Sequence, residues 1–337
     1  MKICIVGAGA IGGMLGVKLA HTGHDVSLIL RGANLAAVQA NGLLLIEENG
    51  NEVLANPVRA TSTIAEAGVQ DVIILGMKAH QVAAIANELP ALMHADTRVI
   101  TMQNGIPWWY FKKLPAAMDQ AYLGTAIKAV DPDGVIAQHI DIDRVIGSVV
   151  YPASEVIRPG VIKVIEGNRF TLGEIDDSDT PSIRAISDAF RAAGFKAPVS
   201  KDIRSEIWLK VWGNLSFNPI SALTHATLED ICLFPATREL AANMMVEAQT
   251  IGEKLGVQFK VSLDKRIAGA QAVGQHKTSM LQDVEMGRQL ELQALVGSVM
   301  ELGQITQTPT PTINAVYALT SLLAKNLQNH KATLRIG

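Results

Sequence analysis

Apolar and polar positions divide the chain into two stretches of different character. Lys2–Val6 is a short apolar run, Gly7-Ala-Gly9-Ala-Ile-Gly12 follows at once, and Met14-Leu-Gly-Val-Lys-Leu-Ala20 continues at helical period. That order predicts a strand, a glycine turn and a helix. Residues 25–30 form a second apolar run, and residues 71–75 and 98–102 are β-branched runs after polar breaks, with a helix over 81–89 between them. Strands alternating with helices predict an α/β fold with a parallel sheet. Between residues 121 and 173 the runs shorten and alternate, as in 144–150 and 161–165, with turn signals at Asp131-Pro-Asp-Gly134 and Arg158-Pro-Gly160. These predict added strands, antiparallel in part, that finish the same sheet. A helix over 181–193 and a short strand over 194–199 close this stretch. Beyond Ser200 only helical periodicity persists, over 202–218, 235–255, 263–273, 279–286, 290–304 and 312–326. The expected division is a sheet domain over 1–199 and an all-helical domain over 200–337.

The glycine turn has a specific physical use. The first glycine permits a tight turn, the second lets backbone approach a pyrophosphate, the third lets helix pack on strand, and the helix amino terminus faces the anion. Gly7, Gly9, Ala10, Ile11 and Gly12 are therefore expected to hold a dinucleotide in a Rossmann domain, against the alternative of a glycine-rich turn with no ligand. The second strand ends at Arg31-Gly32, where an NAD-binding domain usually carries an acid for the ribose 2′-hydroxyl. An arginine there can pair with a 2′-phosphate, which favours NADPH; a solvated loop arginine is the competing role. The next two strands run out into Lys78-Ala-His80-Gln81 and Gln103-Asn104-Gly105. Ligands of open α/β sheets sit outside the carboxyl ends of the strands, so Lys78 and Asn104 are expected to touch cofactor or substrate. Turn formation competes for Asn104-Gly105, and His80 is read as a loop histidine.

In the helical stretch, Lys210-Val-Trp-Gly-Asn214-Leu-Ser-Phe-Asn218-Pro219 sets one ammonium and two carboxamides at intervals of four. Four residues advance an α-helix by about 6 Å and barely rotate it, so the three side chains share a face. Their neighbours Trp208, Leu209, Val211, Trp212, Leu215 and Phe217 are apolar, so the row needs internal partners or a wet cleft. Pro219 is expected to place Asn218 at a helix end or kink. Ser279-Met-Leu-Gln282 has the form of a capping box, and Glu291 opens the next helix, where the dipole favours a carboxylate. Trp108-Trp109-Tyr110-Phe111 is expected as a packed wedge, or as an apolar wall beside Asn104.

Composition narrows the partners. Net charge is −3 over 337 residues without a Lys/Arg-rich block, so neither nucleic acid nor an anionic membrane is an expected partner. No apolar run reaches membrane-spanning length, and Lys2 ahead of an apolar run fits a βαβ start better than a signal peptide. Cys4 and Cys232 lie far apart without metal-ligand spacing, which suggests reduced thiols, a cytoplasmic setting and no metal site.

Gly7-x-Gly9-x-x-Gly12, Lys78 before His80-Gln81, Gln103-Asn104-Gly105, Lys210-x3-Asn214-x3-Asn218-Pro219, and Ser279-Met-Leu-Gln-Asp283 followed by Gly287-Arg288 and Glu291 together resemble the ketopantoate reductase (2-dehydropantoate 2-reductase) family. The resemblance spans nearly the whole chain. It implies a Rossmann domain binding NADPH, a helical domain closing over it, and reduction of ketopantoate to pantoate in a cleft between them, a step of pantothenate and coenzyme A biosynthesis. It makes Lys210 the general acid, Glu291 the carboxylate holding a substrate hydroxyl, and Asn104, Asn214, Asn218 and Ser279 the polar contacts to substrate; a homodimer is the expected assembly. The chemistry of the residues agrees, because a positioned ammonium can stabilise charge on a ketone oxygen and then protonate it. The chain departs from the family pattern at Leu290-Glu291-Leu292-Gln293, where Thr-Glu-Ile-Asp is usual, at Val296-Gly297 in place of Asn-Gly, and at Leu228 in place of an asparagine. These departures leave open a reductase of another, more apolar 2-ketoacid on the same fold. A non-catalytic dinucleotide sensor is a third reading, disfavoured because a sensor needs no proton donor.

Overall fold

The computed structural model describes residues 1–55 and 58–335. Its first unit comprises Met1–Gln103, Phe111–Pro115 and Asp133–Ile203. In chain order it holds β1 (Lys2–Val6), α1 (Ala10–His21), β2 (Asp25–Ile29), α2 (Gly32–Asn41), β3 (Leu43–Ile46), β4 (Glu52–Ala55), β5 (Arg59–Thr61), β6 (Gln70–Leu75), α3 (Ala79–Val82), β7 (Met93–Thr101), α4 (Val135–His139), β8 (Val145–Val150), β9 (Ala153–Arg158), β10 (Val161–Glu166), β11 (Phe170–Glu174) and α5 (Pro181–Ala192). The main sheet has the order β11-β8-β7-β6-β1-β2-β5. Its strands pair in parallel except β11, which runs antiparallel to β8. Near-continuous apolar runs fit this place, because a parallel sheet is covered on both faces; β8 is buried at every position.

Three expectations change here. The runs at 153–158 and 161–166 do not finish the main sheet; they join β3 and β4 in a second sheet of order β4-β3-β10-β9. Period-2 alternation marks a strand but says nothing of its partner. The apolar face of this sheet covers α1, and Ile162 Cδ1 occupies the space that a Cβ on Gly13 would fill, 2.1 Å away. Residues 194–199 form no strand and contribute only the isolated bridges Arg169–Lys196 and Leu172–Val199. The predicted helix at 81–89 is a short α-turn, α3, that tightens into a 3-10 stretch, Ala83–Leu92.

The second unit comprises Asn104–Tyr110, Ala116–Pro132 and Arg204–Gly337. It holds α6 (Ile203–Thr224, its first residue assigned to the other unit), α7 (Leu228–Leu233), α8 (Pro235–Lys254), α9 (Leu263–Ala272), α10 (Ser279–Glu285), a π-turn at Gln293–Gly297 leading into α11 (Ser298–Ile305), and α12 (Pro311–His330). Of the helix end or kink expected at Pro219, the end does not occur: α6 runs on to Thr224. The ring removes one intrahelical hydrogen bond, but Ile220 and Ala222 beyond it are buried, and their burial favours continuing. The capping residue of α10 is Thr278, whose side chain accepts from the Leu281 amide; Ser279 is the first helical residue and is exposed. Trp108, Trp109 and Tyr110 of this unit are buried, as is Phe111 of the first. Within the unit, Trp208 Nε1 donates to Tyr110 Oη at 2.7 Å and Arg204 Nε to the Tyr110 carbonyl at 2.9 Å.

Candidate active site

In the first unit the three glycines of the turn stand in different surroundings. Gly7 has φ +91°, a conformation that a side chain would strain, and its carbonyl accepts the Gly9 amide at 2.8 Å. A Cβ on Gly12 would stand 2.6 Å from the Gly7 carbonyl oxygen and 3.0 Å from Ile5 Cγ2, so helix and strand touch here because no side chain intervenes. Gly9 differs: a Cβ there would meet nothing within 4 Å. It caps α1 without a side-chain bond, followed by half-buried Ala10 and Ile11. The opening amides of a helix have no partner inside it, and the position a side chain on Gly9 would take has no neighbour within 4 Å among the described residues. Arg31 stands just past β2 as the residue capping α2, exposed and ion-paired to no carboxylate among the described residues. Lys78, half-buried, precedes α3, and its amide donates to Gln81 Oε1 at 3.2 Å.

In the second unit three distant stretches meet. Helix α6 places Lys210, Asn214 and Asn218 on one face. Lys210 Nζ donates to Asn104 Oδ1 at 2.7 Å, and Asn104 Nδ2 donates to Glu291 Oε2 at 3.4 Å. Burial pushes the Lys210 ammonium down from 10.5 to about 8, against the upward pull of the Glu291 carboxylate. An amine held there gives up its proton far more readily than one in water, while neutral solution keeps it charged. Glu291 stands just ahead of Leu292, its carbonyl accepting the Leu295 amide at 3.1 Å.

What positions Asn104 was not anticipated. Gly105 has φ +96°, and a Cβ on it would lie 2.0 Å from the Ala294 carbonyl oxygen. The same oxygen accepts the Ile106 amide at 3.0 Å and Ser298 Oγ at 2.6 Å. The Asn104-Gly105 turn is therefore seated directly on the π-turn that follows Glu291. Asn104 accordingly belongs to the helical unit, although it follows a strand of the sheet, and Gln103 marks the change by donating back to the Leu75 carbonyl at 2.8 Å. The Asn-Gly pair signalled a turn; no feature of the sequence signalled its dock.

Asn218 is 4% exposed, and its Nδ2 has no hydrogen-bond partner among the described residues. A buried donor left unpaired costs about 1–3 kcal/mol, which a ligand acceptor would remove. Asn214 is half-buried on the same face, whereas exposed Ser279 takes no part in the bonds that join Lys210, Asn104 and Glu291.

Family profiles described as "Ketopantoate reductase PanE/ApbA" and "Ketopantoate reductase PanE/ApbA C terminal" match residues 3–177 and 202–324. A 2-dehydropantoate 2-reductase of Mesorhizobium japonicum is 53% identical over 325 residues, covering 96% of this chain and 98% of its own. Among solved structures, a protein assigned as a ketopantoate reductase from Ralstonia solanacearum MolK2 superposes with a TM-score of 0.90 at 39% identity, over 96% of this chain and 98% of that one. The 2-dehydropantoate 2-reductase of Geobacter metallireducens does so with a TM-score of 0.83 at 25% identity, over 96% and 99%.

Proposed function

Because the chain belongs to the ketopantoate reductase family, we propose that it is an oxidoreductase that reduces 2-dehydropantoate to pantoate with NADPH, Lys210 serving as general acid. The observation that carries this reading is the Lys210–Asn104–Glu291 cluster, with the lysine held at a pKa of about 8. Gly7, Gly9, Ala10, Ile11 and Gly12 would hold the pyrophosphate of the cofactor, and Arg31 its 2′-phosphate, with Lys78 and Asn104 as further contacts. When bound, the reduced nicotinamide supplies a hydride to the ketone carbon. Lys210 binds the ketone oxygen, stabilises the charge that develops there and transfers its proton to it. Asn104 Oδ1 fixes the direction of the ammonium, and Glu291 raises its affinity for the proton. Asn218 Nδ2, with Asn214 and Ser279, would donate to substrate oxygens.

Initial rates of NADPH oxidation over a panel of 2-ketoacids test this, with Lys210→Ala measured alongside. Ketopantoate should be the best substrate, and the variant should lose roughly 10² to 10⁴-fold in kcat while still binding NADPH. A wild type inert toward every 2-ketoacid, or a variant with near-normal turnover, would overturn the assignment. A second reading, a reductase of a more apolar 2-ketoacid, is favoured by one observation: Leu290 and Leu292, on either side of Glu291, are 6% and 5% exposed. Glu291→Ala separates the two. If Glu291 holds a substrate hydroxyl, its loss should slow hydroxylated ketoacids far more than plain branched ones; an equal loss leaves it a general electrostatic role.

A further inference from the structure

Helix α6 carries a buried glycine, Gly213, three residues after Lys210 and one before Asn214. A Cβ built there would lie 2.1 Å from an Nη of Arg266 and 2.8 Å from its Cζ. The guanidinium of Arg266, reaching over from α9, thus lies against the α6 backbone in the space that any side chain at 213 would take. Glycine inside a helix is about 0.5–1 kcal/mol less favourable than alanine, so α6 forgoes stability at the one position that admits this group. Residues three apart on a helix are neighbours, with Cβ atoms about 5–6 Å apart, so the guanidinium rests on α6 one turn from the point where the Lys210 side chain leaves it.

We propose that Arg266 anchors the carboxylate of the 2-ketoacid while Lys210 takes the ketone oxygen, an inference that rests on the reaction proposed above. In a 2-ketoacid the carboxylate carbon is bonded directly to the ketone carbon, so the groups that hold the two must be neighbours. The cation over Gly213 lies against the same helix, one turn from the backbone that carries Lys210. A guanidinium is a planar fork that matches a carboxylate with two parallel bonds, which amide or hydroxyl donors such as Asn214 or Ser279 cannot do. Its five N–H groups allow it to keep contacts within the protein and still offer an edge to a ligand. Arg266 is in this role a binding and specificity residue: it selects 2-ketoacids over neutral ketones, and it orients the carbonyl toward Lys210.

The test compares a 2-ketoacid with a neutral relative that keeps the ketone, ketopantoate against its internal lactone, in the wild type, Arg266→Ala, Arg266→Lys and Gly213→Ala. Arg266→Ala should raise KM for the acid roughly ten- to a hundred-fold, with a smaller change in kcat, and leave KM for the lactone near its wild-type value. Arg266→Lys should recover part of the loss, and Gly213→Ala, which drives the guanidinium from its seat, should reproduce it. Calorimetric titration with the 2-hydroxyacid, which needs no turnover, should show the same weakening. Equal losses on acid and lactone, or unchanged affinity for the acid, would overturn the anchor. Should Arg266→Ala fail to fold, the lysine variant decides: full wild-type affinity there would also overturn the paired, fork-like contact. A wild type that reduces no 2-ketoacid would instead remove the reaction itself, so the two failures are distinct.

Discussion

Replacing Lys210 by Met should abolish turnover and make the protein more stable at neutral pH. The folded protein holds this amine at about 8 rather than 10.5, chiefly through burial. That gap corresponds to roughly 3 kcal/mol by which folding disfavours the charged form, already net of the attraction of Glu291. The sign follows from proton binding. Below pH 8 the amine is charged in folded and unfolded chains alike, and the full penalty is present. Between pH 8 and 10.5 the unfolded chain binds more protons than the folded one, so stability rises with pH; above that range the penalty is gone. Methionine removes the charge and keeps an unbranched side chain, at the loss of the hydrogen bond to Asn104, about 1 kcal/mol. The net expectation at pH 7 is a gain of about 1–2 kcal/mol, or several degrees in the melting transition. Thermal melts of the two proteins at pH 7 and pH 10, followed by circular dichroism, should show the gap narrowing as pH rises. A variant less stable than the wild type at pH 7, by an amount that does not change with pH, would refute the claim that a buried charge is held here at a cost. The same titration should appear in catalysis, with kcat/KM level below pH 8 and falling tenfold per pH unit above it.

Gly105→Ala should act at a distance from the chemistry. Its methyl would stand 2.0 Å from the Ala294 oxygen on a backbone with φ +96°, so the turn must lift, and we expect a loss of more than 2 kcal/mol and a drop in kcat of at least tenfold as Asn104 leaves Lys210; normal kinetics would exclude the docked turn as the positioning device. Arg31→Ala should weaken NADPH roughly ten- to a hundred-fold and leave NADH nearly unchanged in fluorescence titrations, and an equal effect on both would remove Arg31 from the 2′-phosphate.

The parts of the molecule that could be read from the chain are those governed by a local period or a local steric rule. The Gly7–Gly12 turn follows from where glycine alone fits, and the α6 row follows from 3.6 residues per turn. Elements whose outcome depended on a distant partner were misassigned. Strand β10 pairs with β3, the first strand of a β3–β4 hairpin; the Leu43–Ile46 run and the Asn49-Gly50 turn mark that hairpin locally, but nothing in them says which distant strand it takes as a neighbour. Pro219 obeys a local rule that favours a helix end, but the apolar residues after it continue the buried face, and one missing hydrogen bond does not outweigh them.

The site shows the same limit where the chemistry is concentrated. Asn104, Lys210 and Glu291 could each be singled out, but what joins them is the backbone at Ala294, and a carbonyl has no signature in a sequence. The π-turn at Gln293–Gly297 is equally silent, since an apolar segment of this kind fits an α-helix just as well. Its consequence is nonetheless concrete: the Ala294 oxygen receives the Ile106 amide from a loop nearly two hundred residues earlier in the chain. With the loop seated there, the amide of Asn104 points its oxygen at Lys210 and its nitrogen at Glu291. A carboxamide can satisfy an ammonium and a carboxylate at once only if its two ends are turned the right way, and the seat at Ala294 fixes the backbone that carries it. Asn104→Asp would replace the donor end with a second acceptor facing Glu291, so two carboxylates would share one ammonium. That arrangement should raise the pKa of Lys210 and move the fall in kcat/KM to higher pH, a shift that a merely structural asparagine would not produce.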